Sequence, residues 1–484
     1  VASPSRGQAV LLGAYVGRVV IGLALTAVLG RALSPDSFGF FTFVATIYLC
    51  AQSILDLGSG VLAVRTIVRE PLRERPLLEG LMGWRLVAGF AMAGVVLTFA
   101  ARQGDPDRMM VLRAAGASLL ALAPGALAPA FQVRQAQGRP AFVTVLGQLL
   151  VLVGALVFHA RGVNGVGFAW LLVVRELVSA LLTWILAVRI LGYSPAPGLG
   201  GRGLGEFLGP AAVFGAAVLA HDLYFYTDVF LVRLLRGEAQ LGAYAAALRP
   251  LNPLLLLPSI LMLPLLPVFS ATALRNRGHL AAQVGGAAAL VGGIGALGAA
   301  AGIALAPDLV QLLYGGRYLQ GDLQAVTAFR WLCLALCATF TAAPFTTALL
   351  ADGRERTLLA LGTLGVLVNV GGNALLLPVY GFTAAAATTA ATEALVGVGA
   401  VWAFGRVGGL PMLGLSPIAV LALAIGAIAS TAALPGPGMP RIAAGAVVTT
   451  LGAFLLLSLP GARRFRQEID RRPPEGERLD LGTS

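Results

Sequence analysis

The chain has 484 residues, 58% of them hydrophobic and 12% charged, with a mean hydropathy of +0.85. A soluble domain carries about 25% charged residues, so this composition excludes a large soluble enzyme and marks an integral membrane protein. The net charge of +12 comes from arginine alone; these arginines fall in short loops and a tail, a pattern that sets membrane orientation rather than binding nucleic acid.

A bilayer-spanning helix needs about 20 mostly apolar residues. Fourteen runs meet this in chain order, near 8–33, 38–62, 78–101, 108–132, 140–160, 163–191, 206–233, 240–272, 281–305, 323–350, 356–377, 381–404, 415–434 and 439–460. The first is too long for a signal peptide and carries Arg18, so it is expected to be a retained helix. The Gly/Pro-rich stretch 194–205 is the expected linker between two halves. The polar, Arg-rich tail 463–484 is expected to be disordered. The fold class is therefore an all-α membrane protein. Residues 1–193 form a first lobe (helices 1–6) and 206–405 a second lobe (helices 7–12), and 406–462 supply helices 13 and 14.

An even helix count puts both termini on one side. Placing them in the cytoplasm gives that side Arg65, Arg69, Arg73, Arg75, Arg134, Arg139, Arg189, Arg202, Arg275, Arg277, Arg354, Arg356 and the cluster Arg463, Arg464, Arg466. The opposite side keeps fewer, among them Arg31, Arg161, Arg236 and Arg317. The asymmetry predicts cytoplasmic termini.

The halves repeat. AQGRP at 136–140 matches ADGRE at 351–355, each after the fourth helix of its half. Gly165 follows Gly138 by 27 residues, and Gly381 follows Gly353 by 28. Glu176 and Glu393 fall at equivalent places, and GRALSPDSFGFFTF at 30–43 pairs with VRLLRGEAQLGAYAAA at 232–247. Both repeats start on the same side, so this is a parallel repeat, one architecture of alternating-access transporters.

Ionisable residues inside spanning helices are expensive and are functional candidates. Here they are Arg18, Asp56, Arg85, Arg113, Arg175, Glu176, His221, Asp222, Asp228, Arg249, Arg330 and Glu393. Arg85, Arg113 and Arg330 lie near helix ends, where snorkelling accounts for them. Asp56 opens DLGSG and caps a break at the glycines. Arg175 and Glu176 are adjacent on a helix and are not expected to face each other. Arg18 lies deep in helix 1, on one face with Tyr15 and Gly22. Arg249 lies on the Pro-interrupted helix 8, beside Pro250, Pro253 and Pro258. A deep arginine in a cavity offers a planar fork suited to phosphate; the competing reading is a structural pair with Glu176, Asp222 or Glu393. Asp222 and Asp228 on helix 7 are carboxylates able to take a proton or a cation. In LVNVGGNALLLPVYG at 367–381, Asn369 and Asn373 sit one turn apart in an apolar run. Cys50, Cys333 and Cys337 show neither metal spacing nor a disulfide framework. No Walker A, GxSxG or HExxH motif occurs, so no enzyme activity and no ATP-driven transport is expected of this chain alone.

Three stretches carry a family resemblance: GRALSPDSFGFFTFVATIYLCAQSILDLGSGVLAVR, TDVFLVRLLRGEAQLGAYAAALRPLNP and ADGRERTLLALGTLGVLVNVGGNALLLPVYGFTAAAATTAATE. They resemble polysaccharide-biosynthesis flippases of the Wzx type. Those belong to the multidrug/oligosaccharidyl-lipid/polysaccharide (MOP) exporter superfamily, with MurJ lipid II flippases and MATE drug exporters. The resemblance covers helices 1–12. It implies two lobes that open alternately, in a bacterial cytoplasmic membrane, moving undecaprenyl-pyrophosphate-linked oligosaccharide. A polysaccharide polymerase and glycosyltransferases are the implied partners. Arg18 and Arg249, with Tyr15, match cavity positions for the pyrophosphate. Asp228, Asn369, Asn373 and Thr389 match a sodium site of MurJ-like proteins, with Asp222 and Glu393 as further ion-coupling candidates. No cofactor is expected beyond Na⁺ or H⁺ as coupling ion. Asn373 stands where an acid can occur in MurJ-like proteins, and helix 1 has one deep arginine where the MurJ type has more. Both departures favour a Wzx-like function over a lipid II flippase. A MATE-like exporter would want acids facing the cavity. A membrane glycosyltransferase would want a long extracytoplasmic loop, and a scaffold would need none of the deep charges.

Overall fold

The computed structural model describes residues 4–198, 226–408 and 438–458. Those residues are helical, with no strand among them. The first part holds α1 (Pro4–Ala32), α2 (Pro35–Asp56), α3 (Ser59–Arg69), α4 (Glu74–Ala100), α5 (Pro106–Ser118), α6 (Ala128–Val133), α7 (Gly138–Ala160) and α8 (Trp170–Leu191). The second holds α9 (226–236), α10 (Glu238–Leu248), α11 (Asn252–Met262), α12 (Leu265–Arg275), α13 (Arg277–Tyr314), α14 (Ala325–Ala351), α15 (Glu355–Tyr380) and α16 (Phe382–Gly408). The last helix is α17 (Met439–Ser458). Nine helical stretches among the described residues are long and apolar enough to cross a membrane, or ten if α10 and α11 form one broken span. The expected thirteenth span, the start of the seventh, residues 199–205 of the linker and the tail lie outside the described residues.

Local chemistry sets the helix ends. Ser34 caps α2 by accepting from the Ser37 amide at 3.2 Å, with Pro35 in the first turn. Asp105 caps α5 by accepting from the Asp107 and Arg108 amides, again with a proline in the first turn. The expected break after Asp56 is present. Leu57 (φ 41) and Gly58 (φ 70) both turn left-handed and separate α2 from α3. Leu57 pays a steric cost that Gly58 avoids. The fourth expected span also breaks, into a 3₁₀ stretch Leu119–Leu127 that contains Pro124. Helix 8 of the sequence, rich in prolines, divides into α10, α11 and α12.

The chain forms two compact units. One comprises Val1–Pro250, Leu313–Ala325 and Asn369–Ala385; the other comprises Leu251–Leu312, Val326–Val368 and Ala386–Ser484. In the first, a core of Leu78, Leu81, Leu127, Phe131 and Ala187 joins α4, α6 and α8. In the second, Phe269, Phe340, Phe345, Phe404 and Val284 gather α12, α13, α14 and α16. There α17 is held to α13 by the Gly438 amide, which donates to Asp308 Oδ1 at 2.7 Å.

Two expectations are corrected. Arg85 does not snorkel; it is buried and ion-paired to Asp56 across the helix break, with Gly125 of the 3₁₀ stretch against its guanidinium. A paired carboxylate replaces water as the partner of the charge. Arg175 and Glu176 do pair, Arg175 Nε donating to Glu176 Oε1 at 2.9 Å. The long arginine stem curls back along the helix to reach its neighbour.

Candidate functional site

The site begins with α15. This helix is the least buried of the nine spans, with 17% of its apolar window buried, yet Asn369 and Asn373 are both 0% exposed. Their spacing of one turn puts both amides on the single face that packs inward. An unpaired amide in an apolar surrounding is costly, so this face needs polar partners. Asp228 of α9 provides one and is itself 3% exposed. Asn373 Nδ2 donates to Asp228 Oδ1 at 2.6 Å and to Asn369 Oδ1 at 3.1 Å. Tyr244 of α10 completes the group, its hydroxyl donating to Asp228 Oδ2 at 2.8 Å.

The set is a carboxylate with two amide side chains, a donor chemistry that fits a hard cation such as Na⁺ or a proton. Asn373 presents its nitrogen to the carboxylate, while Asn373 Oδ1 and Asn369 Nδ2 are buried atoms without a hydrogen-bond partner. A side-chain amide can offer either end, so two more oxygens can face the carboxylate.

Of the other expected members, Thr389 and Glu393 belong to the second unit. Thr389 is buried on α16. Glu393, on the same helix, accepts from Thr339 Oγ1 at 2.9 Å. His221 and Asp222 lie outside the described residues. Tyr244 was not a sequence candidate. Nothing local marks it, because its partner is 16 residues away on another helix.

Arg249 is the second feature. It follows α10, and its guanidinium lies 5.1 Å from the ring of Phe41 and 5.3 Å from that of Phe38. Both rings belong to α2. No ion pair holds Arg249 among the described residues, so the expected pairing with Glu176 is absent and Glu176 is taken by Arg175. Arg18, by contrast, is exposed on α1, one turn from Tyr15. The two arginines are thus in different settings, one stacked on aromatic faces and one open.

The third feature is the crossing of α2 and α10. A Cβ on Gly39 would collide with the carbonyl oxygen of Glu238, and one on Gly242 with that of Pro35. Pro35 and Glu238, like Gly39 and Gly242, lie 203 positions apart. The contact is thus reciprocal, and it fixes the register of the internal repeat. At the same offset Phe41 matches Tyr244 and Thr46 matches Arg249. At these two positions the second half carries a tyrosine and an arginine where the first carries a phenylalanine and a threonine.

Charges flank this crossing. Arg233 donates to Glu238 Oε1 through Nη2 at 2.7 Å and lies 3.8 Å over the ring of Phe43. Arg108 of α5 reaches Glu238 Oε2 at 2.5 Å. Arg31 Nε donates to the Leu313 carbonyl at 3.1 Å, and Arg317 donates to the carbonyls of Leu33 and Gly30. Residues from both repeats are clasped within this one compact unit. At the far ends of α4 and α6, Glu74 receives Arg134 in a two-pronged pair. There burial, with Glu74 and Glu79 nearby, pushes the Tyr193 phenol above its ordinary range.

A family model described as polysaccharide biosynthesis protein matches residues 5–273. No curated protein matches the chain. Among solved structures, the lipid II flippase MurJ in an inward closed conformation superposes with a TM-score of 0.74 at 11% identity, covering 93% of this chain and 98% of that one. An inward-facing multidrug resistance MATE family transporter of the MOP superfamily gives 0.59 at 16% identity, covering 82% and 98%. A MOP superfamily transporter from Pyrococcus furiosus gives 0.56 at 16% identity, covering 84% and 96%. The all-helical fold is that of MOP transporters.

Proposed function

The chain belongs to the polysaccharide biosynthesis protein family, and from that premise we propose that it is a flippase for a lipid-linked oligosaccharide. It carries the glycan on undecaprenyl pyrophosphate across the cytoplasmic membrane by alternating access and catalyses no reaction. The observation that carries this reading is Arg249, a guanidinium held against Phe38 and Phe41 with no carboxylate partner among the described residues. Stacking leaves its N–H edge open, and that edge suits a phosphate oxygen pair. Arg18 and Tyr15, one turn apart on α1, are the second contact for the same headgroup.

Asp228, Asn369 and Asn373 hold the coupling ion, Na⁺ or H⁺. A bound ion supplies positive charge that the carboxylate otherwise lacks. The residues' own part is to keep that carboxylate dry and aimed by Tyr244.

The test is transport of a pyrophosphate-linked oligosaccharide in vesicles. Arg249→Ala is expected to slow it by about tenfold or more, the effect of one lost charge-assisted contact, at equal membrane levels. Arg249→Lys restores part of it, because the charge remains but the fork does not. Transport by R249A at the wild-type rate would end the reading.

A further inference from the structure

We propose that a cleft between α14 and α16 binds an anionic phospholipid of the surrounding bilayer, its phosphate on Arg406 and one chain along the cleft. This does not rest on the transport reading. The cleft has a volume of about 480 Å³ and lies wholly within the second compact unit. Its walls are Ala338 and Ala342 on α14, with Gly397, Val398, Val401 and Trp402 on α16. Small residues make the space. A Cβ on Gly397 would already touch that of Ala342 at 3.4 Å.

The cleft offers almost no hydrogen-bonding groups, and its Trp402 ring is already covered by Arg406. The hydroxyl of Thr341, its one hydroxyl-bearing side chain, is spent on the Cys337 carbonyl at 2.8 Å. Yet the rim is bare, with Val398 68% and Trp402 58% exposed. Val398, Trp402 and Arg406 follow at intervals of one turn along the same face. Arg406 stands in the last turn of α16, and its guanidinium lies 3.8 Å over the Trp402 ring. It makes no ion pair among the described residues. The end of a spanning helix lies at the membrane–water boundary, where tryptophan settles and lipid phosphates concentrate. An arginine stacked on tryptophan keeps its N–H edge free for a phosphodiester. The apolar cleft runs from that point into the membrane. Charge at the rim and an apolar channel beneath it match the two ends of one lipid molecule.

Trp402 can report its own occupant. With Trp84, Trp170, Trp184 and Trp331 replaced by phenylalanine, it is the remaining tryptophan. The full chain is placed in vesicles of one composition, phosphatidylcholine and phosphatidylglycerol, with brominated chains carried by one lipid or the other. Bromine on phosphatidylglycerol is expected to quench Trp402 beyond that lipid's share of the bilayer. Arg406→Gln should remove the excess, and Gly397→Leu, which fills the cleft, should reduce quenching by both lipids. Quenching in proportion to composition would overturn the proposal, since it reports only bulk lipid contact. Quenching by neither lipid would also overturn it, by showing that residues 409–437 or a second copy of the chain cover the cleft. If the four-fold variant fails to fold, the difference in quenching between wild type and Trp402→Phe reads the same quantity.

Discussion

At the scale of single residues, the chemistry converges on Asp228. Its two oxygens are each met by a donor, Asn373 Nδ2 on one and the Tyr244 hydroxyl on the other. Asp228→Asn keeps the shape and removes the charge. Transport by this variant is expected to lose its response to an imposed Na⁺ or pH gradient, measured in vesicles where wild type responds. If the response survives, the cluster is a brace and not an ion site. Tyr244→Phe tests the brace separately. It leaves a buried acceptor short of one donor, a loss that averages about 0.6 kcal/mol between membrane helices and reaches about 1.7. A small fall in thermal stability with gradient response intact is the expected outcome. Asn369 and Asn373 were legible as a pair in the sequence, because two amides one turn apart in an apolar run require a shared partner. Asp228 as that partner came only by resemblance, since no spacing rule links α9 to α15. Tyr244 could not be read at all. A tyrosine in an apolar helix is ordinary, and its role exists only once three helices meet.

At the scale of elements, the α2–α10 crossing is held by what its helices lack. The backbones touch at Gly39 and Gly242, where each would-be Cβ falls on a carbonyl oxygen of the other helix. Backbone cannot be pushed aside as a flexible side chain can. Gly39→Ala or Gly242→Ala must therefore part the helices, at a cost of about 1–3 kcal/mol for overpacking. Gly298→Ala is the control, since nothing lies within 4 Å of its Cβ position. It should be neutral or slightly stabilising, because alanine favours helix by about 0.8–1.0 kcal/mol over glycine. Melting of the purified chain in detergent checks all three, and equal melting points would refute the close contact. Glu238→Gln is the matching test of charge. Glu238 serves both Arg108 and Arg233, and its side chain is 8% exposed. Losing the carboxylate leaves Arg233 with Gln103 and Arg108 with Asp105 as their remaining polar partners, for an expected destabilisation of about 1–3 kcal/mol. The repeat that places these residues was visible as pattern, in the pairing of 30–43 with 232–247. The pattern could not say that the two copies touch each other. The break after Asp56 was legible from DLGSG, but the 3₁₀ stretch Leu119–Leu127 was not, because nothing in its local pattern shows Arg85 of α4 packing against Gly125.

At the scale of the whole molecule, hydropathy alone sufficed for the fold class, since so apolar a chain has few soluble alternatives. The positions of the helices followed closely as well: the expected span 140–160 lies within α7, and 323–350 and 381–404 begin within two residues of α14 and α16. Proline-rich stretches were harder, because a hydropathy window joins α10, α11 and α12 into one run. The charge asymmetry then makes a claim that can be checked segment by segment. If fourteen spans start and end in the cytoplasm, a reporter fused after Gly408 follows twelve spans and lies inside. One fused near Gly438 follows thirteen and lies outside, and one at the C-terminus lies inside again beside Arg463, Arg464 and Arg466. Fluorescent and phosphatase reporters at these three points are expected to give the order in, out, in. The arginine cluster is what holds the last of these, because several guanidinium groups oppose translocation far more than the uncharged residues 434–438 do. Replacing the three arginines with glutamine should weaken the third result and leave the first unchanged. The same side for Gly408 and Gly438 would remove the thirteenth span, and with it the even count on which the orientation rests.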